Sequence, residues 1–153
     1  MEPAVIKILK EKGIPFRLIK LNGAAITVED VVTFSNGEVI LNEICKTVIV
    51  KGRKTGKLYG LFLQGTDKIS FTKVKKVTGE EMTMGDVSDV KIASGVEPGA
   101  VCPFLLSVQL LVDNKIEGME RVNCGSGEHL FGLEFNPKDL KTCVEYVSGD
   151  FIK

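Results

Sequence analysis

The 153-residue sequence predicts a single α+β domain. Short segments with apolar residues at helical spacing are mixed with short segments of alternating or β-branched residues. Hydrophobic residues make up 44% of the chain and charged residues 26%, which is close to the average of globular domains and argues against disorder. No internal repeat, low-complexity stretch or linker divides the chain. We therefore expect one domain over residues 1–153, a length that builds one core of ordinary size.

The N-terminal third combines helical and strand patterns. Thr27 precedes "VEDVVTF" and is followed three residues later by Asp30, an arrangement typical of a helix start, and "SNG" ends this helix. The predicted elements are a helix over 3–12, a strand over 14–21, a helix over 28–34 and a second short helix over 38–43.

The middle of the chain predicts a hairpin followed by two helices. "KTVIVKG" and "LYGLFLQG" are strands joined by the polar turn "RKTGK", and the first is apolar enough to be central in a sheet. "KISFTKVKKVTG" predicts a helix that ends at Gly79. "GDVSDVKIASG" predicts another short helix, with Gly95 as its left-handed C-cap.

The C-terminal third is mostly strand. "SVQLLVD", "MERVNCG" and "HLFGLEF" predict three strands, separated by turns at "NKIEG" and "GSGE". "NPKDLKTC" is typical of a helix start, with Asn136 as cap and Pro137 in the first turn. "VEYVSGDFI" predicts a final strand.

Basic residues are concentrated between residues 46 and 76. The formal net charge of the chain is zero, but this segment contains nine lysines and arginines and a single acidic residue, Asp67. The segment therefore carries +8 and the remainder of the chain −8. Such a distribution suits an anionic partner bound through salt-sensitive phosphate contacts. It also suits a solvated face on a hairpin and a helix, and charge alone leaves both readings open.

Several familiar kinds of site are absent from the sequence. Four cysteines stand far apart without a C-x-x-C pair, and one histidine is present, so we expect no metal and no cofactor. No G-x-S-x-G, P-loop, H-E-x-x-H or G-x-G-x-x-G motif occurs. No apolar run approaches the roughly 18–20 residues that span a bilayer, and "MEPAVIKILKEKG" is too highly charged for a signal peptide. We expect a cytoplasmic protein without membrane contact.

The segment "GVEPGAVCPF", residues 95–104, contains two glycines and two prolines that restrict its backbone, but few side chains that could take part in catalysis. Glycine permits unusual backbone angles and the close approach of a ligand, while proline restrains the chain. A nucleophile or metal site would show Ser, His, Asp or paired Cys here. Cys102 is a candidate nucleophile, but no neighbouring base or cation in the sequence would activate it, so a small wall residue is the favoured interpretation.

Three blocks together resemble the YbaK/prolyl-tRNA-synthetase editing-domain family. They are "ICKTVIVKGRKTGKLYGLFLQGTDKISFTKVKKVTG", "ASGVEPGAVCPFLL" and "VNCGSGEHLFGLEFNPKDL", and the match spans roughly residues 27 to 147. The resemblance implies a mixed, strongly curved sheet flanked by short helices. It also implies hydrolysis of the ester between tRNA and a wrong amino acid. Family site residues carried over by motif are Lys46, Gly95, Gly99, Ala100, Val101, Cys102, Pro103 and His129.

The resemblance assigns roles to these residues. Ester hydrolysis creates negative charge on the former carbonyl oxygen, and backbone N–H groups of residues 99–102 are expected to stabilise it. Lys46 is expected to bind the phosphate of the terminal nucleotide of tRNA or to orient the ester. A lysine that begins a strand is ordinarily a surface residue. His129 either shapes the amino-acid pocket or is structural. The general base is implied to come from the substrate, through its ribose 2′-hydroxyl or a water placed by it.

The leading hypothesis is therefore a free-standing trans-editing deacylase. Its expected substrate is tRNA, above all tRNA for proline, mischarged with alanine, cysteine or serine, and prolyl-tRNA synthetase is a candidate partner. Contacts with tRNA are expected from the basic segment, at Lys51, Arg53, Lys54 and Lys57. One alternative is a non-catalytic tRNA- or synthetase-binding module of the same fold. Another is a general esterase or thioesterase, which the missing nucleophile–base pair disfavours.

Overall fold

The chain folds into short helices packed on β-sheets, in a computed structural model that describes residues 3–153. Its helices are α1 (Val5–Glu11), α2 (Val28–Phe34), α3 (Phe71–Thr78), α4 (Val87–Ser94), α5 (Asn114–Glu117) and α6 (Leu140–Cys143). Its strands are β1 (Phe16–Lys20), β2 (Cys45–Gly52), β3 (Leu58–Gln64), β4 (Met82–Met84), β5 (Gln109–Asp113), β6 (Val122–Gly125), β7 (Phe131–Phe135) and β8 (Tyr146–Gly149). The predicted α+β class is confirmed.

The strands divide between two sheets. A five-stranded sheet has the order β4-β2-β3-β5-β8, in which β2 is antiparallel to both neighbours and β5 is parallel to both of its own. A three-stranded antiparallel sheet has the order β1-β7-β6. The two meet at one bridge, between Ile44 just before β2 and Asn123 on β6. The sequence predicted one mixed sheet, whereas pairing across this junction is limited to a single residue on each side.

The core lies on both faces of β2 and β3. Helix α1 buries Val5, Ile6 and Leu9 along one stripe against Phe62, which is fully buried. Helix α4 packs its buried Val90 and Ala93 against β2 on another part of the sheet. Because burying a large apolar side chain contributes about 1.5–3 kcal/mol, these contacts dominate the stability of the fold.

Helix ends follow the predicted signals closely. Thr27 accepts a hydrogen bond from the Asp30 amide while the Asp30 carboxylate accepts from the Thr27 amide, so the predicted start of α2 is a complete capping box. Gly79 and Gly95 end α3 and α4 with φ of 83° and 76°, which is the left-handed conformation that favours glycine. Helix α3 begins after Ser70, later than predicted, because the Ser70 side chain caps it.

Four sequence-based expectations were wrong in detail. The "NKIEG" turn is helix α5, which the Asp113 carboxylate caps by accepting from the Lys115 amide at 3.1 Å. The predicted helix over 38–43 is only a 3₁₀ turn at Leu41–Glu43, since six residues rarely repay helix nucleation. Strand β4 was not predicted, because three residues carry no readable pattern. The final strand is limited to Tyr146–Gly149.

Candidate active site

A cavity of about 260 Å³ lies where the two sheets meet. It is bounded by the N-terminal part of α2, the beginning of β2, the end of β6 and the loop that precedes β5. Its size is near the lower end of ligand sites, which run from roughly 300 to 1,000 Å³. The polar side chains on its wall are those of Thr27, Lys46, Thr47, Asn123, Glu128 and His129.

The loop at 99–103 presents unused backbone donors beside this cavity. The amides of Gly99, Val101 and Cys102 have no acceptor anywhere in residues 3–153. The Ala100 amide instead lies 3.4 Å from the Glu97 carbonyl oxygen. Of the three residues with unused amides, Gly99 and Val101 line the cavity. Val101 is buried, where a backbone amide is normally paired, whereas Gly99 is exposed. Both amides are free to donate to a ligand oxygen.

Two glycines allow this loop to lie so close to its neighbours. Gly99 has φ of 95°, and a Cβ there would lie 2.9 Å from the backbone of Ile26. A Cβ on Gly125 would lie 2.5 Å from the Val101 carbonyl oxygen and 2.8 Å from the Ala100 carbonyl carbon. The loop therefore packs closely between Ile26, just before α2, and Gly125 on β6. A side chain at Gly99 or Gly125 would require the neighbouring backbone to move.

Lys46 is the second residue of β2 and lines the same cavity as Gly99 and Val101. Its ammonium donates one hydrogen bond to the Asp67 carbonyl oxygen at 3.1 Å. Burial lowers the pKa of Lys46, and the nearby Lys68 lowers it further, while Asp67 and Glu29 act in the opposite direction. Because an ammonium has three donors, Lys46 keeps donor capacity for an anionic or carbonyl oxygen of a ligand.

The His129 side chain hydrogen-bonds to Pro98, the residue just before the 99–103 loop. Its Nε2 lies 3.1 Å from the Pro98 carbonyl oxygen, and a carbonyl only accepts, so Nε2 carries the proton and donates. The same residue accepts through its own carbonyl from the Ala25 amide at 2.9 Å. With Nε2 occupied in this way, the ring holds the residue before Gly99 in place and does not offer that nitrogen as a base.

The polar residues of the cavity wall include three atoms with no partner. Within residues 3–153, the buried side-chain nitrogen and oxygen atoms that lack a hydrogen bond are Thr47 Oγ1, Asn123 Nδ2 and Asn123 Oδ1. Both residues line the cavity. Neither residue was predicted from the sequence. Asparagine is uncommon in strands, so its presence in "VNCG" was a signal that could have indicated the position.

Residues 23–143 match the model of the aminoacyl-tRNA editing domain. The chain belongs to the aminoacyl-tRNA editing domain family. Among solved structures, the hypothetical protein APE2540 is 25% identical with a TM-score of 0.88, covering 97% of this chain and 99% of that one. A proposed trans-editing enzyme for prolyl tRNA synthetase is 18% identical with a TM-score of 0.82, covering 100% and 99%. At that lower identity the likeness shows the fold alone.

The editing domain places the predicted loop residues on two sides of the backbone. Gly99 and Val101 line the cavity, whereas Ala100, Cys102 and Pro103 are buried behind it and are not part of its lining. The Cys102 thiol is fully buried in the main core, which does not suit a nucleophile. Gly95 ends α4 and does not line the cavity, so its position is that of a helix cap.

The predicted tRNA-binding residues lie at the far end of β2. Lys46 is the second residue of this strand and Lys51 lies five residues later, which is about 17 Å at the usual rise of ~3.3 Å per residue. Folding also brings acidic groups to this hairpin that the local sequence does not show. The Asp89 carboxylate pairs with Lys51 at 3.5 Å, and the Glu80 carboxylate accepts from the Lys54 amide at 3.0 Å.

The remaining basic side chains of the hairpin are more available. Lys57 lies over the ring of Tyr59, with its Nζ 5.0 Å from the ring centroid. Neither Arg53 nor Lys54 has a side-chain ion pair within the part of the chain that the structure describes. The editing domain thus keeps an exposed basic tip on this hairpin, although its net charge is smaller than the sequence segment alone predicts.

The described residues contain no cluster of three or more His, Cys, Asp or Glu side chains that could hold a metal ion. None of the helices in residues 3–153 has both the length and the apolar character needed to cross a membrane.

Proposed function

We propose that this editing domain is a deacylase that acts in trans on tRNA mischarged with a small amino acid, with tRNA for proline as the expected substrate. The observation that carries the proposal is the pair of unused amides at Gly99 and Val101, two residues that line the same small cavity as Lys46. Ester hydrolysis needs preorganised donors for the oxyanion, and backbone amides provide them without a side chain.

In the proposed reaction, a water attacks the carbonyl carbon of the aminoacyl ester. The carbonyl oxygen becomes negatively charged and accepts from the Gly99 and Val101 amides. The carbon–oxygen bond to the ribose then breaks, and the proton of the attacking water passes to the departing ribose oxygen, with the neighbouring 2′-hydroxyl as relay. Free amino acid and uncharged tRNA are the products. His129 acts through Pro98, which it holds in place.

Lys46 binds the terminal nucleotide in this proposal. The residue lines the cavity and its ammonium donates to a single backbone oxygen, which leaves donors for a phosphate or for the ester. Burial makes such an interaction stronger than it would be at an exposed lysine, because water competes less for the charge. Loss of a charged hydrogen bond costs about 1.5–3 kcal/mol, which corresponds to a rate loss of about 10- to 100-fold.

The test is deacylation of tRNA for proline charged separately with alanine, cysteine, serine and proline. We expect release of at least one small wrong amino acid, little release of proline, and a 10- to 100-fold lower kcat/KM in Lys46→Ala. Lys138→Ala is the matched control, because Lys138 is exposed, does not line the cavity, and has no side-chain hydrogen bond or ion pair within residues 3–153.

Two other outcomes would overturn the proposed function, and a third would overturn the role of Lys46. Binding of tRNA without hydrolysis of any mischarged form would indicate a non-catalytic tRNA- or synthetase-binding module. Equal hydrolysis of simple amino-acid esters without tRNA would indicate a general esterase. Unchanged kcat/KM in Lys46→Ala would exclude the role given to this lysine.

Three further parts of the proposal concern the setting of the reaction. The editing domain is proposed to extend over residues 1–153, to act in the cytoplasm where tRNA is charged, and to require no cofactor. Contacts with tRNA are proposed at Lys51, Arg53, Lys54 and Lys57, on the hairpin tip. Association with prolyl-tRNA synthetase is proposed as a source of tRNA selectivity, and adding the synthetase should then lower the KM for mischarged tRNA.

A further inference from the structure

Asn123 has a buried side chain that nothing in residues 3–153 explains. It is 2% exposed, and both its Nδ2 and its Oδ1 lack hydrogen-bond partners. A buried polar group without a partner is costly, so native structures rarely keep one unless a ligand or water completes it. Within residues 3–153, the one other buried side-chain nitrogen or oxygen without a partner is Thr47 Oγ1, and Thr47 lines the same cavity.

The fold itself does not require an asparagine at this position. Its two neighbours on β6, Val122 and Cys124, are buried in the apolar core, and the bridge to Ile44 uses backbone atoms only. An apolar side chain of the same size would satisfy the strand without leaving polar atoms unpaired. The asparagine is therefore best explained by a partner that enters the cavity from outside.

The carboxamide specifies the chemistry of that partner. Its Oδ1 accepts and its Nδ2 donates, side by side in one plane, so the complementary group must place a donor next to an acceptor. An α-amino ester does so, because its ammonium nitrogen and its carbonyl oxygen are attached to adjacent carbons. Thr47, next to Lys46 on β2, supplies a further acceptor for the ammonium.

We infer that Asn123 binds the α-amino ester of the substrate, accepting from the ammonium through Oδ1 and donating to the carbonyl oxygen through Nδ2. This inference rests on the proposed function and adds the recognition of the free amino group to it. The Nδ2 donor joins the Gly99 and Val101 amides at the same carbonyl oxygen. A blocked amino group offers one N–H, no charge and added bulk, so the site discriminates against N-acylated aminoacyl ends.

The experiment compares two stable analogues, 3′-amino-3′-deoxyadenosine carrying alanine in amide linkage, with the amino group either free or acetylated. Binding is measured by calorimetry with wild type, Asn123→Leu and Asn123→Asp, alongside deacylation of alanyl-tRNA for proline. We expect wild type to bind the free amine at least tenfold more tightly than the acetylated form. Asn123→Leu should lose this preference, and its kcat/KM should fall about 10- to 100-fold.

A matched pair of stability measurements separates binding from folding. Because Asn123 is unpartnered, Asn123→Leu should melt at the wild-type temperature or above it. Gln64 is also a buried carboxamide, but its Nε2 donates to the Asn42 carbonyl oxygen and it does not line the cavity. Gln64→Met should therefore melt at a lower temperature while keeping the wild-type preference for the free amine.

The outcomes distinguish this inference from the proposed function. If wild type hydrolyses mischarged tRNA but Asn123→Leu is equally active and equally selective, the inference is wrong and the function stands. If wild type hydrolyses nothing but still prefers the free amine through Asn123, the function is wrong and the inference stands. If wild type binds both analogues equally, or neither, Asn123 does not recognise the amino group. Asn123→Asp keeps the acceptor alone, so it should retain the preference but lose turnover.

Discussion

The contact between Gly125 and the 99–103 loop makes Gly125→Ala the most informative single substitution. An alanine Cβ at this position would lie 2.5 Å from the Val101 carbonyl oxygen and 2.8–2.9 Å from the Ala100 carbonyl group. All of these atoms are backbone, so no side-chain rotation relieves the overlap. The loop that carries the proposed oxyanion donors must move away from β6.

The size of this movement sets the expected effect. Ordinary contact begins at 3.4 Å, so the Val101 carbonyl must shift by about 0.9 Å relative to the new methyl group. A misplacement of about 1 Å in catalytic geometry costs on the order of 100-fold in rate. That factor corresponds to about 2.7 kcal/mol of transition-state stabilisation. Overpacking costs about 1–3 kcal/mol of folding stability as well, so the variant should still fold but melt several degrees lower.

The assay is single-turnover deacylation of the preferred mischarged tRNA at 20 °C, with circular dichroism to establish that the variant is folded. We expect a loss of about 100-fold in the rate of the chemical step, with a much smaller change in tRNA affinity. Gly118→Ala is the control, because a Cβ there meets only the Lys115 carbonyl oxygen at 3.7 Å and φ is −89°. A folded Gly125→Ala protein with the wild-type rate would refute the role given to the loop amides.

Three further predictions concern stability, tRNA binding and pH. Thr27→Ala removes one half of the α2 capping box and should lower the free energy of unfolding, measured in urea, by about 1 kcal/mol. Thr66 is exposed and caps no helix, so Thr66→Ala should change it little. Replacing Lys54 and Lys57 together by alanine should reduce the slope of log affinity for tRNA against log salt by about 2, and an unchanged slope would place the tRNA elsewhere. The Asp86 amide, and then Lys51, lower the pKa of Asp89, so its contribution to stability is complete above about pH 5 and is lost as pH falls through the lowered pKa. Asp89→Asn should therefore lose less stability than wild type between about pH 5 and pH 2, and parallel curves would contradict this.

Local signals in the sequence were sufficient for most of the fold. The capping box at Thr27, the β-branched run of β2 and the left-handed C-cap at Gly95 each act within a few residues of chain, and all three were predicted. Gly95 was also predicted as a site residue, but it does not line the cavity. Signals of this kind are readable because capping and strand preference depend on nearby atoms. Asp113 shows the limit, because its carboxylate caps α5 and also accepts from the Phe151 amide, which is distant in sequence.

The candidate site was predictable only in part. Of the residues that the motifs carry over, Lys46, Gly99, Val101 and His129 line one cavity, and their roles there stay predictions. The motifs did not separate Val101 from Cys102, which lie on opposite sides of the same backbone, one toward the cavity and one in the core. Which side a loop residue faces depends on the elements packed around it, and those elements come from distant parts of the chain.

The basic segment illustrates the same limit for charge. Residues 46–76 carry +8 in sequence, but the fold places Asp89 beside Lys51 and Glu80 against the hairpin turn. The carboxylates come from residues outside the segment, so counting charge along the chain overestimates the field at the surface. The effective charge near a surface is set by what lies within about 10 Å of it, not by sequence neighbours.

The sequence by itself determined the α+β class, the order of most helices and strands, the backbone-rich loop at 99–103 and the family resemblance. Each of these depends on local preferences or on motifs that can be read along the chain. Only the tertiary structure decided that two sheets meet at Ile44 and Asn123, and that a cavity opens at this junction. It alone also showed that Asn123 and Thr47 are buried without partners, because hydrogen-bond satisfaction is a property of all surrounding atoms and is not encoded in any short stretch.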